Sequence, residues 1–270
     1  MTSRQGEGRD RGLLRTIELT KDFGGLRALN KLDLLVAHRE TVGLIGPNGS
    51  GKSTFVNVIS GFYEPTSGQV LFASQPVGGL PPWKIAQLGI TRTFQHTRLF
   101  HKHTVLENML FAAHTIERSN LGHALFRRGL IRQEEHASHK RARQILDFVG
   151  LSMFMFDAAA SLAPGHQRAL AIGMCLMSEP KLLMLDEPAA GLSAQESDRL
   201  VSLIATLKDR GVSVLLVDHD MRVIMRACDR IVVLDHGFKI AEGSPEEIRA
   251  NEKVVEAYLG RNTSRVVENA

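Results

Sequence analysis

The sequence predicts an α/β fold with a mostly parallel sheet as its core, an antiparallel β flank and an inserted helical subdomain. Three observations predict it. Short apolar segments typical of strands alternate with amphipathic segments typical of helices, which favours parallel strands joined by crossover helices. A polar, helix-rich stretch at 104–150 interrupts this alternation, and two apolar segments late in the chain flank His236-Gly237, a pair suited to a hairpin turn.

The first part of the chain contains short predicted strands and two predicted helix starts. Apolar residues recur at helical spacing after Gly51, so we expect a helix to follow that glycine. Thr104 and Glu107 fit a capping box, in which the two side chains satisfy N–H groups at the start of a helix. The predicted strands lie at 16–19, 32–36, 41–45 and 68–72.

The second part contains the segments expected at the centre of the sheet. Residues 182–185 and 212–217 are continuous apolar runs, the pattern of parallel strands that are buried on both faces. The apolar face of a crossover helix between them is formed by Leu200, Leu203, Ile204 and Leu207. The expected organisation is one domain at 15–260, a helical subdomain at about 96–165, and tails at 1–14 and 261–270.

Composition limits the classes of protein to which the chain can belong. With 270 residues and 43% hydrophobic content, it fits one α/β domain, and no apolar run approaches the roughly 18 residues of a membrane span. Residues 1–12 show no apolar core of a secretory signal. Cys175 and Cys228 have no CxxC spacing, so we expect no disulfide framework and a reducing cytoplasm.

The formal net charge of +4 is concentrated in residues 116–143, which hold seven Lys or Arg and three Glu. A basic segment of this kind suits anionic lipid or nucleic acid, but a solvated helical face has the same composition. Both interpretations stay open on the sequence alone.

Residues 46–54, GPNGSGKST, match the P-loop pattern of nucleotide-binding enzymes. Glycines let backbone N–H groups crowd around phosphate oxygens, and the following helix presents its positive end. Lys52 supplies a point charge for the β- and γ-phosphates, and the Ser53 hydroxyl suits Mg²⁺. The predicted strand before and helix after favour this interpretation over a chance glycine turn. The predicted phosphate-binding residues are Gly46, Pro47, Asn48, Gly49, Ser50, Gly51, Lys52, Ser53 and Thr54.

Two further strand ends carry polar side chains. Asp186 and Glu187 follow one apolar run, and carboxylates at the C-terminal end of a strand lie where α/β proteins bind ligands. Asp186 fits a Mg²⁺ ligand and Glu187 a general base aimed at water, although a strand end can also merely turn acidic. His219 follows the next run, where it could bond a γ-phosphate or serve the structure. No NKxD or TKxD motif of the switch GTPases follows the P-loop.

Taken in order, these motifs resemble the nucleotide-binding domain of ABC ATPases. The P-loop is followed by Gln95 after a short strand, the heptad LAPGHQR at 162–168, the Asp-Glu pair and the strand-end His219. Within this superfamily, the chain resembles the ATP-binding subunit of branched-chain amino acid importers of the LivG type. The residues that carry this closer resemblance are Phe23-Gly24-Gly25-Leu26, Gly89-Ile90-x-Arg92-Thr93-Phe94-Gln95, Ala190-Gly191-Leu192 and Val255-Glu256-Ala257-Tyr258-Leu259-Gly260.

The resemblance implies a role for each matching residue. Phe23 would stack on the adenine, unless it is a core residue. Gln95 would touch Mg²⁺ or the attacking water and relay to a membrane partner, and His219 would hold the γ-phosphate. The implied catalytic residues are Glu187, His219 and Gln95, and the implied metal ligands are Ser53, Gln95 and Asp186.

Residues 162–166, LAPGH, align with the ABC signature usually written LSGGQ, which implies nucleotide contacts from Ala163, Gly165 and His166. In ABC proteins the signature of one subunit caps the γ-phosphate held by the P-loop of the other, so two chains pair head to tail. Ala163, Pro164 and His166 replace Ser, Gly and Gln. A lost hydrogen bond to a charged group costs about 1.5–3 kcal/mol, so we expect the site that this signature completes to be slowed roughly tenfold or more.

The resemblance also implies cofactors, partners and location. The cofactors are ATP and Mg²⁺. The partners are two integral-membrane permease subunits, a second paralogous ATPase or a second copy of this chain, and a periplasmic or other extracytoplasmic solute-binding protein, with no nucleic acid. The expected location is the cytoplasmic face of the inner membrane, and the expected cargo is branched-chain amino acids or related amino acids and amides. Leu99 and Phe100 would anchor a permease helix, or belong to the core of the helical subdomain.

Other ATPases and a small-molecule kinase are the alternatives. Repair and chromosome-structuring ABC proteins carry long coiled coils, and the sequence has no sustained heptads. Translation-factor types need two ATPase units in one chain, and one P-loop is present. The signature and Glu187 argue against a kinase, so transport is favoured over an ABC-class ATPase acting on nucleic acid or the ribosome.

Overall fold

The computed structural model describes residues 12–93, 99–117 and 128–257. The strands are β1 (Leu14–Phe23), β2 (Leu26–Val36), β3 (Thr41–Ile45), β4 (Ser67–Phe72), β5 (Gln75–Pro76), β6 (Ile90–Arg92), β7 (Leu182–Asp186), β8 (Ser213–Val217), β9 (Arg230–Asp235) and β10 (Phe238–Gly243). The helices are α1 (Lys52–Ile59), α2 (Pro82–Leu88), α3 (Val105–Glu117), α4 (Arg128–Phe148), α5 (Pro164–Leu176), α6 (Ala194–Leu207), α7 (Met221–Ala227) and α8 (Pro245–Ala250).

The core is a six-stranded sheet in the order β10-β9-β3-β8-β7-β6, in which every strand except β10 runs parallel. All residues of β3, β7 and β8 are buried, as expected for central strands of a parallel sheet. The predicted crossover helix is α6, and the predicted hairpin is β9 and β10 joined at His236-Gly237. These predictions are confirmed.

A second sheet, in the order β2-β1-β4-β5, is antiparallel throughout. The sequence predicted strands in this part of the chain but did not assign them to a sheet of their own; the antiparallel flank that it predicted is the β9–β10 hairpin of the core sheet. Phe55 of α1 lies in one hydrophobic cluster with Leu29 and Val70 of this sheet and with Leu44 of the core sheet. The helix that follows the P-loop is therefore packed against both sheets.

Helices α3, α4 and α5 pack together beyond the core sheet, around buried residues that include Met109, Leu146 and Leu170. The predicted capping box starts α3: the Thr104 N–H donates to Glu107 Oε2 at 2.7 Å, and the Glu107 N–H donates to Thr104 Oγ1 at 3.2 Å. All three helices lie between β6 and β7 in the chain, which confirms the predicted insertion of helices. The basic stretch at 116–143 includes residues 118–127, which lie outside the described residues.

Two expectations from composition are answered by the structure. Cys175 and Cys228 are free, which agrees with the absence of a disulfide framework, and burial raises the pKa of the Cys175 thiol to about 12. Among the helices of the described ranges, none is both long enough and apolar enough to cross a bilayer.

Candidate nucleotide-binding site

The carboxyl ends of three adjacent parallel strands define the candidate site. β3, β8 and β7 are neighbours in the sheet: Leu44 pairs with Val217, and Val217 pairs with Asp186. Because these residues are in register, the segments that follow them leave the sheet at the same edge. That edge carries the P-loop after β3, His219 after β8 and Glu187 after β7.

The P-loop joins β3 to α1 through glycines in the left-handed region of backbone conformation. The φ angles are +152° at Gly46, +81° at Gly49 and +107° at Gly51. A Cβ atom at Gly46 would collide with the carbonyl oxygen of Leu234, so both the backbone angle and the available space require glycine there. The loop leads directly into α1 at Lys52, the arrangement of loop and helix N-terminus that binds phosphate.

The side chains of the P-loop differ in how far they reach solvent. Lys52 Nζ donates to the carbonyl oxygens of Gly46 at 2.7 Å and Pro47 at 3.0 Å, which holds the ammonium group on the loop. Ser53 is exposed, whereas the Ser50 hydroxyl is buried without a hydrogen-bond partner among the described residues. Asn48 and Gly49 are exposed, and Thr54 is half-buried.

The turn of the β9–β10 hairpin supports the P-loop from behind. The Gly237 N–H donates to the carbonyl oxygen of Ser50 at 3.0 Å, and the Gly237 carbonyl oxygen accepts from the Asn30 N–H at 2.9 Å. Sequence reasoning identified the turn but not this contact, because the paired residues are far apart in the chain. The hairpin thus helps to fix the loop that we expect to bind the phosphates.

Asp186 is buried and forms an ion pair that the sequence did not predict. Arg92 Nη2 lies 2.6 Å from Asp186 Oδ2, and Arg92 Nη1 donates to Asn57 Oδ1 at 2.6 Å. The guanidinium therefore balances the charge of the carboxylate that we expected to bind Mg²⁺. It also ties β6 and α1 to β7. Arg92 stood in a motif quoted for the family resemblance, but nothing local indicated its partner.

Glu187 and His219 lie next to each other at this edge. The distance between His219 Nδ1 and Glu187 Oε1 is 3.9 Å, and the two side chains are 66% and 30% exposed respectively. The Glu187 N–H donates to the carbonyl oxygen of Val217 at 2.7 Å, so the main chain fixes the residue beside β8. Both side chains can reach solvent while their backbones are held by the sheet.

Asp218 is a buried carboxylate that joins the two loops carrying this pair. Its Oδ2 accepts from the Ala189 N–H at 2.9 Å, and its Oδ1 accepts from the N–H groups of His219 at 2.8 Å and Asp220 at 3.0 Å. The sequence offered one signal, an acidic residue inside an otherwise apolar strand end, but its partners could not be read from it.

Comparison with known proteins decides the family. The family model described as ABC transporter matches residues 29–190, and the model described as Branched-chain amino acid ATP-binding cassette transporter matches residues 239–262. The High-affinity branched-chain amino acid transport ATP-binding protein BraF of Pseudomonas aeruginosa is 44% identical over 251 residues, 93% of this chain and 98% of BraF. The LivG protein of Escherichia coli K12, which bears the same description, is 43% identical over 249 residues, 92% of this chain and 98% of LivG.

The chain belongs to the ABC transporter ATP-binding family. The ADP conformation of MJ1267, an ATP-binding cassette of an ABC transporter, matches with a TM-score of 0.82 and 32% identity over 92% of this chain and 98% of that one. The dimeric cassette MJ0796 matches with a TM-score of 0.71 and 26% identity over 86% of this chain and 98% of that one. The predicted ABC fold, ATP binding and ATPase activity are confirmed.

The ABC signature segment forms the start of α5. Ala163 is the N-cap residue and Pro164 the first helical residue, which suits a position whose N–H has no partner within the helix. The Gly165 N–H donates to Glu196 Oε1 at 2.9 Å. The His166 ring, which stands where the signature usually has Gln, lies 4.7 Å from the Phe154 ring.

Phe23, Leu99 and Phe100 lie within the described residues and differ in how exposed they are. Phe23 ends β1 with 39% of its surface exposed, so the interpretation of Phe23 as a core residue is wrong. Its ring meets the Tyr63 ring edge to face at 5.1 Å. Leu99 is buried in the core of the helical region, whereas Phe100 is half-exposed, so the structure separates the two. Gln95 lies outside the described residues.

Proposed function

We propose that this chain is the ATP-hydrolysing subunit of an importer for branched-chain amino acids or closely related amino acids. The observation that carries the proposal is the placement of Glu187 and His219 at the sheet edge where the P-loop begins. The names of the relatives and the match at residues 239–262 support this class of cargo.

Each polar group at this edge has a task in the proposed reaction. Lys52 and the N–H groups of the loop hold the β- and γ-phosphates, and Phe23 stacks on the adenine. Glu187 orients and polarises a water in line with the γ-phosphorus. His219 contacts the γ-phosphate beside Glu187, while Gln95 links the water to the membrane partner. Phosphoryl transfer has a loose transition state, so positioning and charge supply most of the catalysis.

The donor set at this edge suits Mg²⁺. Ser53 offers an exposed hydroxyl at the start of α1, and Asp186 offers a carboxylate held in place by Arg92. Mg²⁺ usually takes one or two such oxygen ligands, together with phosphate oxygens and water. We assign Ser53 and Asp186 to the metal, with Gln95 as a further contact. Bound with ATP, the ion would neutralise charge on the phosphates.

The signature segment requires a second ATPase subunit. The start of α5 presents N–H groups that suit an anion, and the proposed anion is the γ-phosphate held by the P-loop of a partner. The dimeric state of the related MJ0796 cassette supports such a pair. In this proposal Ala163, Gly165 and His166 face the partner's nucleotide, and the partner is a paralogous ATPase or a second copy of this chain.

Membrane proteins complete the proposed transporter. The relatives are named as ATP-binding proteins of transport systems, so the path for the cargo belongs to other subunits. We propose two permeases that this chain joins at the cytoplasmic face, and an extracytoplasmic protein that delivers the amino acid. Half-exposed Phe100, whose ring packs against those of His103 and Phe111, is an apolar group available for permease contact.

Transport by the reconstituted complex tests the proposal. The chain, its permeases and the second ATPase are placed in liposomes, with the binding protein on the side opposite ATP. We expect ATP-dependent uptake of labelled leucine, isoleucine or valine, and loss of that uptake in Lys52→Ala. Uptake of amides or urea in place of these amino acids would overturn the cargo. ATP hydrolysis that DNA or ribosomes stimulate, without any uptake, would overturn transport itself.

A further inference from the structure

One carboxylate joins the signature turn to the start of α6. Glu196 Oε2 accepts from the Ser193 N–H at 2.9 Å and from the Ser193 hydroxyl at 2.8 Å, which forms the capping box of α6. The other oxygen, Oε1, accepts from the Gly165 N–H at 2.9 Å. Both oxygens of Glu196 are thus used, and only one of them is needed for the cap.

The Gly165 N–H is a donor that the helix itself cannot satisfy. Gly165 is the second residue of α5, and the first N–H groups of a helix have no carbonyl partner in the preceding turn. A Cβ atom at Gly165 would lie 2.7 Å from Glu196 Oε1, so the absence of a side chain permits this close approach. The turn therefore binds an anion already present in its own chain.

Glu196 is ionised at neutral pH. Hydrogen bonds from the Ser193 N–H, the Ser193 hydroxyl and the Gly165 N–H lower the pKa of its carboxyl group below its ordinary value. A negatively charged oxygen, Glu196 Oε1, therefore accepts from the Gly165 N–H, the donor that would bind a γ-phosphate in the proposed function.

We propose that Glu196 occupies the phosphate-binding N–H of Gly165 in the separated subunit and is displaced when the partner's nucleotide arrives. The inference rests on the proposed function, in which this turn caps the γ-phosphate of a second subunit. One N–H cannot serve two anions at full strength, and two negative charges about 4 Å apart repel. Glu196 therefore weakens the ATP-driven association of the two subunits, because it must leave this N–H before the γ-phosphate can bind there.

The chain contains a matched control for this role. Glu247 forms the same capping box with Ser244 at the start of α8: its Oε2 accepts from the Ser244 N–H at 2.7 Å, and its own N–H donates to Ser244 Oγ at 3.3 Å. α8 packs against β9, β10 and α7. Glu196→Gln and Glu247→Gln therefore remove comparable caps, and Glu196→Gln also removes charge from the signature turn.

The test measures ATP-driven association in a protein that hydrolyses ATP slowly. Glu187→Gln serves as the parent, and Glu187→Gln/Glu196→Gln and Glu187→Gln/Glu247→Gln are compared with it. Sedimentation velocity with ATP gives the protein concentration at half association, for the full chain alone and mixed with its paralogous subunit. We expect Glu196→Gln to lower this concentration about threefold to tenfold, as one removed repulsion at close range predicts. Glu247→Gln should leave it unchanged.

A second measurement follows the contact itself. In the full-length parent without nucleotide, the amide proton resonance of Gly165 should shift upfield in Glu196→Gln and stay in place in Glu247→Gln. Nucleotide binding to the single subunit should be equal in all three proteins.

The role of Glu196 and the pairing of two ATPase subunits fail under different results. An unchanged or raised half-association concentration in Glu196→Gln, with a parent that associates normally, overturns the role of Glu196 alone. An unmoved Gly165 resonance in Glu196→Gln overturns it as well. A parent that never associates with ATP, even with its paralogous subunit, overturns the proposed pairing and this inference together.

Discussion

Lys52 donates hydrogen bonds to two carbonyl oxygens of its own loop. A bound phosphate would accept hydrogen bonds from the same ammonium group. Lys52→Ala should weaken ATP binding about tenfold or more, because hydrogen bonds to a charged group contribute about 1.5–3 kcal/mol. Equilibrium binding of a fluorescent ATP analogue measures the loss. Lys208→Ala is the control, since Lys208 pairs with Asp229 just before β9 begins, away from the loop. Unchanged affinity in Lys52→Ala would remove the P-loop from the account.

Arg92 compensates the negative charge of the buried Asp186 carboxylate. Arg92→Met should destabilise the fold by about 3–5 kcal/mol, because Asp186 would remain buried without its partner. The double variant Arg92→Met/Asp186→Asn should recover part of that loss, since the charge is then gone. Urea unfolding of the three proteins measures both effects. A single variant as stable as the wild type would mean that the ion pair does not form.

Asp218 acts on the loops that follow β7 and β8. Asp218→Ala leaves three backbone N–H groups without their acceptor, so we expect about 1–3 kcal/mol lower stability and slower ATP hydrolysis. Asp218→Asn keeps the shape of the side chain but offers one acceptor oxygen in place of two. Its stability and ATPase rate should therefore lie between those of the wild type and Asp218→Ala. Urea midpoints and steady-state ATPase rates give the two readouts. Normal ATPase rates in Asp218→Ala would show that the loops hold Glu187 and His219 without this carboxylate.

Elements with a complete local pattern were predictable from the sequence. The apolar runs of β7 and β8, the spaced face of α6 and the turn at His236-Gly237 each carry their own signal, and each formed as expected. The antiparallel sheet was less predictable, because the alternation of apolar and polar residues along a strand does not indicate which other strands it pairs with. Its strands could have flanked the parallel core instead.

Contacts between distant segments were not predictable at all. Arg92 and Asp186 are 94 residues apart, and Gly165 and Glu196 are 31 residues apart, so no local period links them. The sequence placed Asp186 and Gly165 at functional positions through their motifs. It could not reveal that Arg92 neutralises Asp186 or that Glu196 accepts from the Gly165 N–H, because these contacts form only when the sheet and helices assemble.

The molecule as a whole should lose stability in acid. Carboxyl groups with lowered pKa values, each because a guanidinium or a helix cap donates to the ionised form, are Asp22, Glu107, Glu196 and Asp220. Since the folded pKa lies below the unfolded value of about 4, these groups stabilise the fold above that pH and lose this effect as pH falls through the folded pKa. Thermal unfolding should show a steady midpoint from pH 7 to about 5 and a decline below about 4. A midpoint that stays constant down to pH 3 would contradict this.

In the proposed function, energy conversion by the assembled molecule depends on Glu187, which follows β7. The most direct measurement is the rate of ATP hydrolysis by the reconstituted transporter that carries Glu187→Gln, with ATP binding measured in the same preparation. We expect hydrolysis to be about 10²–10⁴-fold slower, with ATP binding retained, because a general base contributes that much. Hydrolysis at the wild-type rate would contradict it.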